Sequence, residues 1–242
     1  MDREQYTIMF QVERSHWWYR SMRRNALALL RRYLAPGRQY QLLDAGCGTG
    51  GTTIDLQQFG TVTGVDMSTD ALGYAASRGL NRLVQGSIEQ LPFADATFDA
   101  WTCFDVQYHR AVAEERRSMR EARRVLRPGG LAFFREPAFD WLRGAHDVGI
   151  HTARRFTLDA FVAEIQEAGF RIEHATYGNM LLFPLALLKR SVDRFLPGSP
   201  TDLSVPPAPL NKAFEALVSL EGPLLGQARL PIGLSVIVVG RA

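Results

Sequence analysis

Short apolar runs alternate with helix-spaced apolar positions along the first 136 residues of the chain. Residues 20–34 place apolar side chains at helical spacing, and Pro36-Gly37 ends that predicted helix. The runs that predict buried strands are QLLDA, TVTGVD, NRLVQGS, FDAWTCFD and LAFFRE. A helix from about Ala111 to Val125 is predicted between the last two. Strands and helices that alternate in this way form a parallel sheet whose carboxyl ends meet at one ligand-binding edge.

Two interpretations fit the glycine-rich stretch LLDAGCGTGG. Gly46, Gly48 and Gly51 make the G-x-G-x-x-G turn of dinucleotide-binding domains. Asp44 instead begins a D-x-G-x-G-x-G pattern, which is typical of a site for the methyl donor S-adenosylmethionine. Asp66, at the end of the next predicted strand, suits the ribose of either ligand, so it does not separate the two.

The charge of Asp44 does separate the two ligands. A dinucleotide brings a pyrophosphate to the glycine turn, and a neighbouring carboxylate would repel that anion. The sulfonium and ammonium groups of S-adenosylmethionine are cations, which a carboxylate suits directly or through a water. The sequence also lacks a Tyr-x-x-x-Lys pair, which is one common proton relay in hydride transfer. Its two lysines, Lys189 and Lys212, lie late in the chain, far from the glycine-rich stretch. Asp44 and the missing Tyr-x-x-x-Lys pair therefore favour S-adenosylmethionine over a dinucleotide as the ligand.

Four segments carry a resemblance to a known family. They are LLDAGCGTG, GVDMS, GSIEQLPFADATFDAWTCFDVQYH and REARRVLRPGGLAFFREP. In this order and spacing they resemble the class I S-adenosylmethionine-dependent methyltransferases, and most of all the small-molecule group called methyltransferase type 11. The resemblance covers residues 40–136, and the LPF, FD and RVLRPGG segments make it specific.

The resemblance implies a role for each matched position. The positions are Asp44, Gly46, Gly48 and Gly50 at the methionine end of the donor, Asp66 at its ribose, Met67, Ser87 and Ile88 at its adenine, and Phe104 beside its sulfonium. Ser87 departs from the acid that the family usually carries at this place. The alternative interpretation is that the glycines only make a tight turn and the acids cap helices.

The N-terminal segment ERSHWWYRSMRR places three aromatic residues side by side. It resembles an H-W-W-[FY]-x-x-x-R motif that precedes the glycine loop in part of the same group. The resemblance implies that Trp18 or Tyr19 shields the donor from water and that Arg23 pairs with the donor carboxylate. The alternative is a helix that packs on the edge of the sheet.

Methyl transfer requires that the acceptor is aligned and water excluded, whereas a base is needed only where the acceptor must lose a proton. His109, after the fourth predicted strand, is the candidate base, with a structural role as the alternative. The substrate pocket is predicted to include Glu136, Trp141, His146, Asp147 and His151, with solvated loop residues as the alternative. Their spacing matches no metal-binding motif, so no metal is predicted.

The expected fold is α/β, with a Rossmann-like, seven-stranded, mostly parallel sheet and helices on both faces. Its predicted parts are an N-terminal helical cover (1–38), a donor-binding core (39–178), a helical insertion or lid (179–230) and a closing strand (231–242). The apolar segment 179–195 suits a pocket for an apolar acceptor, a membrane surface, a dimer interface or an ordinary core helix.

Composition narrows the expected partners. The hydrophobic share of 46%, the charged share of 22% and the net charge of +3 are ordinary for a globular protein. Without a basic block or an N/D-P-P-Y/F motif after FDAWTCFD, nucleic acid is not an expected partner. The N-terminus has no apolar core of signal-peptide length, and the longest apolar run, Met180 to Leu188, is too short to span a bilayer. We therefore expect a cytoplasmic protein, monomeric or homodimeric, with peripheral membrane contact left open.

The expected function is methyl transfer from S-adenosylmethionine to oxygen or nitrogen of a small organic acceptor, apolar and glycosylated acceptors included. Two alternatives stay open at this point. One is an NAD(P)-dependent oxidoreductase on a related sheet, and the other is a catalytically silent domain that only binds the methyl donor.

Overall fold

Seven strands from the described residues form one sheet in the computed structural model. The structure describes residues 3–144, 147, 149–195, 205–225 and 227–242, except for the side chains of 192–195. The strands are β1 (Tyr40–Ala45), β2 (Gly60–Asp66), β3 (Leu83–Gln85), β4 (Phe98–Phe104), β5 (Leu126–Pro137), β6 (Arg171–Gly178) and β7 (Ser235–Arg241). Their order is β3-β2-β1-β4-β5-β7-β6.

The first five strands of the sheet run parallel, and β7 runs antiparallel to both of its neighbours. The carboxyl ends of β1, β2 and β4 therefore meet at one edge. In the register of β1 and β4, Asp44 lies beside Thr102 near this edge. The predicted Rossmann-like, mostly parallel, seven-stranded sheet is confirmed.

Helices cover both faces of the sheet. They are α1 (Arg3–Val12), α2 (Trp17–Tyr33), α3 (Gly51–Leu56), α4 (Thr69–Ser77), α5 (Glu115–Val125), α6 (Leu158–Glu167), α7 (Phe183–Phe195) and α8 (Ala208–Ser219). On one face Trp101 and Phe134 pack against Phe161 of α6, and on the other Phe133 packs with Leu30 of α2. Successive strand residues point to opposite faces, so the neighbouring Phe133 and Phe134 belong to different apolar clusters.

Helix α5 begins at Glu115 rather than near Ala111, so the predicted start of this helix was wrong. The backbone N–H of Ala113 and that of Glu114 donate to the carboxylate of Glu89, at 3.2 and 2.8 Å. A carboxylate from a distant part of the chain thus caps the helix at this point. The local spacing of apolar residues does not reveal such a cap.

The N-terminal helices and the segment before β7 pack on each other. Met22 of α2, Leu182 and Val218 of α8 form one small apolar cluster. The side-chain oxygen of Asn211, also on α8, accepts a hydrogen bond from the N–H of Trp17 at 2.8 Å. These contacts join two segments that lie far apart in the sequence, and both contribute to the cavity described next.

Candidate functional site

A cavity of about 980 Å³ opens at the carboxyl ends of β1, β2 and β4. Ligand sites in proteins span about 300–1,000 Å³, so this cavity lies at the upper end of that range. We call the part lined by α1, the turn after β1 and the turn after β2 the glycine end. We call the part lined by residues 137–155 and 182–190 the α7 end.

Two glycines bring the backbone to the wall of the glycine end. Gly46 has φ +75° and Gly48 has φ +53°, which residues with a side chain rarely adopt. A Cβ at Gly46 would collide with Val106, and one at Gly48 would lie 3.2 Å from Cε of Met9. Gly50, also predicted for the site, packs against α4 instead of lining the cavity.

Asp44, the second-last residue of β1, is a buried carboxylate that lines the cavity. It accepts hydrogen bonds from the hydroxyls of Thr53, at 2.6 Å, and Thr102, at 2.8 Å. Burial raises the pKa of Asp44, and the two hydroxyls partly offset the shift. A positive charge in the cavity would favour the ionised form of this carboxyl group.

Asp66 ends β2 and holds two turns together. Its Oδ2 accepts a hydrogen bond from the N–H of Gly48, and its Oδ1 accepts one from the N–H of Ser68, both at 2.9 Å. Burial raises the pKa of Asp66, and these backbone donors partly offset the shift. Each oxygen keeps a second lone pair, so the carboxylate can accept further hydrogen bonds from ligand hydroxyls.

Met67 and Ile88 add apolar surface to the glycine end. Met67 is 51% exposed although its side chain is apolar, so it offers contact area to a ligand. Ser87 is not part of the cavity wall, where its neighbours Gly86 and Ile88 stand. Its hydroxyl accepts a hydrogen bond from the N–H of Glu89 at 3.1 Å.

Helix α1 lines the cavity with residues that the sequence reasoning missed. Tyr6 and Met9 face the glycine end. Burial, followed by the nearby carboxylate of Asp66, raises the pKa of Tyr6 to about 12. Tyr6, Met9 and Phe10 recur at helical spacing, which is the signal that could have identified this helix.

Glu13, which follows α1, ties this helix to the glycine turn. Its carboxylate accepts a hydrogen bond from the hydroxyl of Thr49 and pairs with Arg78, both at 2.5 Å. Arg78 also donates to the carbonyl of Thr49, and its guanidinium lies 4.1 Å from the ring centre of Phe10. This cluster holds α1 across the glycine end.

Some residues of the segment at the start of α2 line the cavity, whereas another joins α2 to a neighbouring helix. Trp18 and Tyr19 line the cavity. Arg23 does not, because its Nε donates to Asp55 at 3.0 Å and its Nη1 donates to the carbonyl of Glu13 at 2.5 Å. The structure thus brings the two aromatic residues to the cavity, whereas Arg23 joins α2 to α3.

His109 lines the cavity between its two ends. Its Nδ1 accepts a hydrogen bond from the N–H of Ala111 at 3.0 Å. In the neutral ring, an accepting Nδ1 leaves the proton on Nε2. Burial is the main reason that the pKa of His109 falls to about 4, so the ring is neutral at pH 7. Neutral His109 therefore carries an Nε2–H hydrogen-bond donor.

Glu136 lies behind the cavity wall and does not line the cavity. Its carboxylate accepts hydrogen bonds from the N–H groups of Val106, Gln107 and Tyr108, at 3.2, 2.9 and 3.2 Å. Burial raises the pKa of Glu136 well above its usual range. One buried side chain thus anchors the loop that follows β4, which includes several cavity residues.

The other residues predicted for the substrate pocket lie in different places. Trp141 is 51% exposed and does not line the cavity, nor does His151. His146 lies outside the described residues. The α7 end contains Asp147 and Arg155, which form two hydrogen bonds of 2.9 and 3.1 Å. Asp147 was predicted for the pocket wall, whereas its partner Arg155 was not.

The charges of the glycine end fit a cationic ligand. Its described lining residues include the carboxylates Asp44 and Asp66, and also Glu13, whose charge is matched by Arg78. Arg135, which lines the same cavity, pairs with Asp105. A sulfonium or ammonium group is attracted to such a site, whereas a pyrophosphate is repelled. Within the described ranges, no group of three or more His, Cys, Asp or Glu residues could hold a metal ion.

The sheet order, the glycine turn and the acids near the ends of β1 and β2 are the features expected of a class I domain for S-adenosylmethionine. Residues 43–134 match the methyltransferase domain family of type 11. The chain therefore carries a class I methyltransferase domain of this type, and S-adenosylmethionine is the methyl donor that the domain implies.

Curated relatives are similar to this chain over half of its length or more. Malonyl-[acyl-carrier protein] O-methyltransferase of Erwinia pyrifoliae is 36% identical over 127 residues, which cover 51% of this chain and 47% of the relative. Sterol 24-C-methyltransferase of Gibberella zeae is 31% identical over 179 residues, which cover 62% of this chain and 45% of the relative. The chain thus spans about half the length of the curated relatives that it matches.

The likeness to solved structures extends over the whole chain. A SAM-dependent methyltransferase of Thermotoga maritima superposes with a TM-score of 0.59 and 18% identity, covering 98% of this chain and 95% of that one. At this identity the comparison shows a shared fold. Each helix within the described ranges is too short or too polar to traverse a lipid bilayer.

Proposed function

We propose that the chain transfers the methyl group of S-adenosylmethionine to an oxygen or nitrogen atom of a small organic acceptor. The proposal rests on one cavity of about 980 Å³ that joins an acidic glycine end to a separate α7 end. When bound, S-adenosylmethionine supplies a methyl group that is activated by its sulfonium leaving group. A cavity of this size accommodates the donor and an acceptor together.

In this proposal the glycine end holds the donor. The remaining lone pairs of Asp66 accept from the ribose hydroxyls, and the buried charge of Asp44 stabilises the cationic part of the donor. Met67 and Ile88 offer apolar surface to the adenine. Gly46 and Gly48 allow the backbone to approach the methionine part. Ser87 and Arg23 have no part in donor binding.

The N-terminal helices exclude water from the same end. Tyr6 and Met9 of α1, with Trp18 and Tyr19 of α2, lie along the cavity wall. Displacement of methyl from a sulfonium needs the acceptor atom aligned and competing water kept out. The cover (1–38) and the insertion (179–230) serve this purpose together in our proposal.

His109 acts as a hydrogen-bond donor in this proposal. With Nδ1 bound to a backbone N–H and a pKa near 4, the neutral ring is a weak proton acceptor. From the cavity wall the ring can orient an acceptor oxygen through one of its lone pairs, while the other lone pair attacks the methyl group. An acceptor that is already nucleophilic at neutral pH needs no base.

Calorimetric titration of the purified chain tests the proposal. We expect S-adenosylmethionine and its product S-adenosylhomocysteine to bind, and NADH and NADPH to give no heat of binding. Release of S-adenosylhomocysteine in the presence of small phenols, amines and carboxylic acids then separates an enzyme from a silent donor-binding domain. Binding of NADH or NADPH in place of the donor would overturn the proposal.

A further inference from the structure

A second, smaller cavity is lined by residues of α2, α3 and α8. It has a volume of about 260 Å³, and we call it the arginine groove. Its described lining residues are Arg20, Arg23, Arg24, Leu27 and Arg31 of α2, Asp55 of α3 and Glu215 of α8. Four of these side chains are cations and two are anions. The groove thus carries an excess of positive charge, on a protein whose net charge is only +3.

One stripe of α2 forms the cationic side of the groove. Arg20, Arg24, Leu27 and Arg31 follow each other at intervals of four, three and four residues, which places them on one face of the helix. Like charges at this spacing repel each other. Since α2 contains neither aspartate nor glutamate, the charge that balances the stripe must come from other elements.

Glu215 is shared by two arginines of the stripe. Its Oε1 lies 3.2 Å from Nη2 of Arg20 and 2.9 Å from Nη2 of Arg24. The Glu215 side chain is 10% exposed, whereas those of Arg20 and Arg24 are 44% and 53% exposed. One carboxylate neutralises one guanidinium charge, and each guanidinium has five N–H donors. Both arginines therefore keep donors for a ligand.

The rest of the groove is cationic as well. Asp55 accepts a hydrogen bond from Nε of Arg23 at 3.0 Å and lies 3.7 Å from Arg14, which stands outside the groove. Arg31 donates to the side-chain oxygen of Gln58 at 2.5 Å, and this partner is uncharged. Within the described part of the chain, the arginines around the two carboxylates thus outnumber them. An anion placed in the groove would reduce the repulsion among these arginines.

The length of the stripe indicates the size of that anion. Arg20 and Arg31 are about 16 Å apart along the helix axis, and Arg24 lies between them. Two linked phosphate groups extend farther along such a stripe than one, so they meet more guanidinium groups. A groove of about 260 Å³ is small for a whole cofactor, and it suits a diphosphate with few attached atoms.

We propose that the arginine groove binds a terminal diphosphate group, free or carried by a small molecule, between the guanidinium groups of Arg20, Arg24 and Arg31. Guanidinium groups donate parallel N–H bonds to phosphate oxygens, and the negative charge of the diphosphate matches the positive excess of the groove. The groove shares no described lining residue with the cavity at the strand ends. This inference therefore does not depend on the proposed function.

Calorimetric titration of the full chain tests the inference. Pyrophosphate, uridine diphosphate and inorganic phosphate are compared at one ionic strength, which sodium chloride keeps constant. We expect pyrophosphate or uridine diphosphate to bind about tenfold more tightly than inorganic phosphate. The tighter of the two shows whether the ligand is a free or an organic diphosphate. NADH, whose diphosphate is esterified at both ends, should give no heat of binding.

Matched variants locate the site. Arg20→Gln and Arg31→Gln should each weaken diphosphate binding about fivefold, because each removes one guanidinium charge. Glu215→Gln should strengthen binding by a similar factor, since it removes a negative charge and keeps the size of the side chain. Arg117→Gln, at an exposed position of α5, is the control and should bind like the wild type. Circular dichroism verifies that each variant is folded.

Three results would overturn the inference. The first is no heat of binding from either diphosphate. The second is wild-type affinity in both Arg20→Gln and Arg31→Gln. The third is competition between the diphosphate and S-adenosylhomocysteine, which would place the diphosphate in the cavity at the strand ends. Loss of S-adenosylhomocysteine binding alone, with diphosphate binding intact, would count against the proposed function and not against the groove.

Discussion

The two ends of the cavity are built by different means. The glycine end consists of backbone turns and carboxylates at strand ends, where Asp66 holds Gly48 and the β2–α4 turn directly. The α7 end consists of side-chain pairs between loops and helices, such as Asp147 with Arg155. Strand ends are fixed by the sheet, whereas loops and added helices accept substitution. One end thus suits a ligand common to the family, and the other suits a ligand particular to this chain.

The loop anchored by Glu136 connects the two ends of the cavity. Removal of this anchor should have the largest effect of the changes considered, and it should lower the stability of the fold. In Glu136→Ala, three backbone N–H groups lose their buried acceptor, so we expect the free energy of unfolding to fall by about 3 kcal/mol. Urea unfolding measures this change. Glu136→Gln keeps one acceptor oxygen and should lose less. Equal stability of the wild type and both variants would contradict the anchoring role.

Asp66→Ala should be the strongest single change at the glycine end. The substitution removes the acceptor for ligand hydroxyls and for the N–H groups of Gly48 and Ser68. We expect the affinity for S-adenosylhomocysteine to fall about 100-fold, measured by calorimetry. Asp70→Ala, on an exposed position of α4, is the matched control and should bind normally. Unchanged affinity in Asp66→Ala refutes its role.

Arg78→Ala should affect the glycine end more mildly and leave the α7 end unchanged. The variant breaks the cluster that holds Glu13 and Phe10 of the cover on the glycine turn. We expect about tenfold weaker binding of S-adenosylhomocysteine, measured by calorimetry. Arg82→Ala, at an exposed position nearby, provides the control and should bind normally. Unchanged affinity in Arg78→Ala would contradict this role of the cluster.

The smallest expected effect is the contribution of His109 to the pH dependence of the free energy of unfolding. Its pKa of about 4 in the folded chain lies below the ordinary 6.5, so folding favours the neutral ring. This contribution is complete above pH 6.5 and is lost as the pH falls toward 4.

Urea unfolding of wild type and His109→Gln across this pH range measures the contribution. The difference between their free energies of unfolding should shrink by about 1 kcal/mol or less on acidification, because solvent screens the half-exposed ring. A difference that stays constant from pH 7 to pH 4 would contradict the lowered pKa.

The parts of the site that could be predicted are local in the sequence. The glycine turn, with Asp44 before it and Asp66 at the end of the next strand, lies within a short segment whose spacing has a direct physical meaning. Tyr6 and Met9 also had a local signal in their helical spacing. Met67 and Ile88 were implied by the family resemblance and His109 was predicted from its place after the fourth strand, and all three line the cavity.

Other residues were predicted for the site and stand elsewhere because their partners are distant. Arg23 meets Asp55 and the carbonyl of Glu13, and Glu136 meets three N–H groups of the β4 loop. A polar residue near a predicted ligand edge can face the ligand or hold the wall behind it. The sequence contains both possibilities, and the choice depends on which donors and acceptors the fold brings within hydrogen-bond distance.

By itself, the sequence determined the alternation of strands and helices, the edge at which a ligand binds and the acidic character of the glycine turn. These features depend on periodicity and on the chemistry of adjacent residues. The tertiary structure decided where α5 begins, how the cover is fastened and which side chains of α7 line the cavity. Those outcomes depend on pairs such as Glu89 with α5 and Glu13 with Arg78, which only folding brings together.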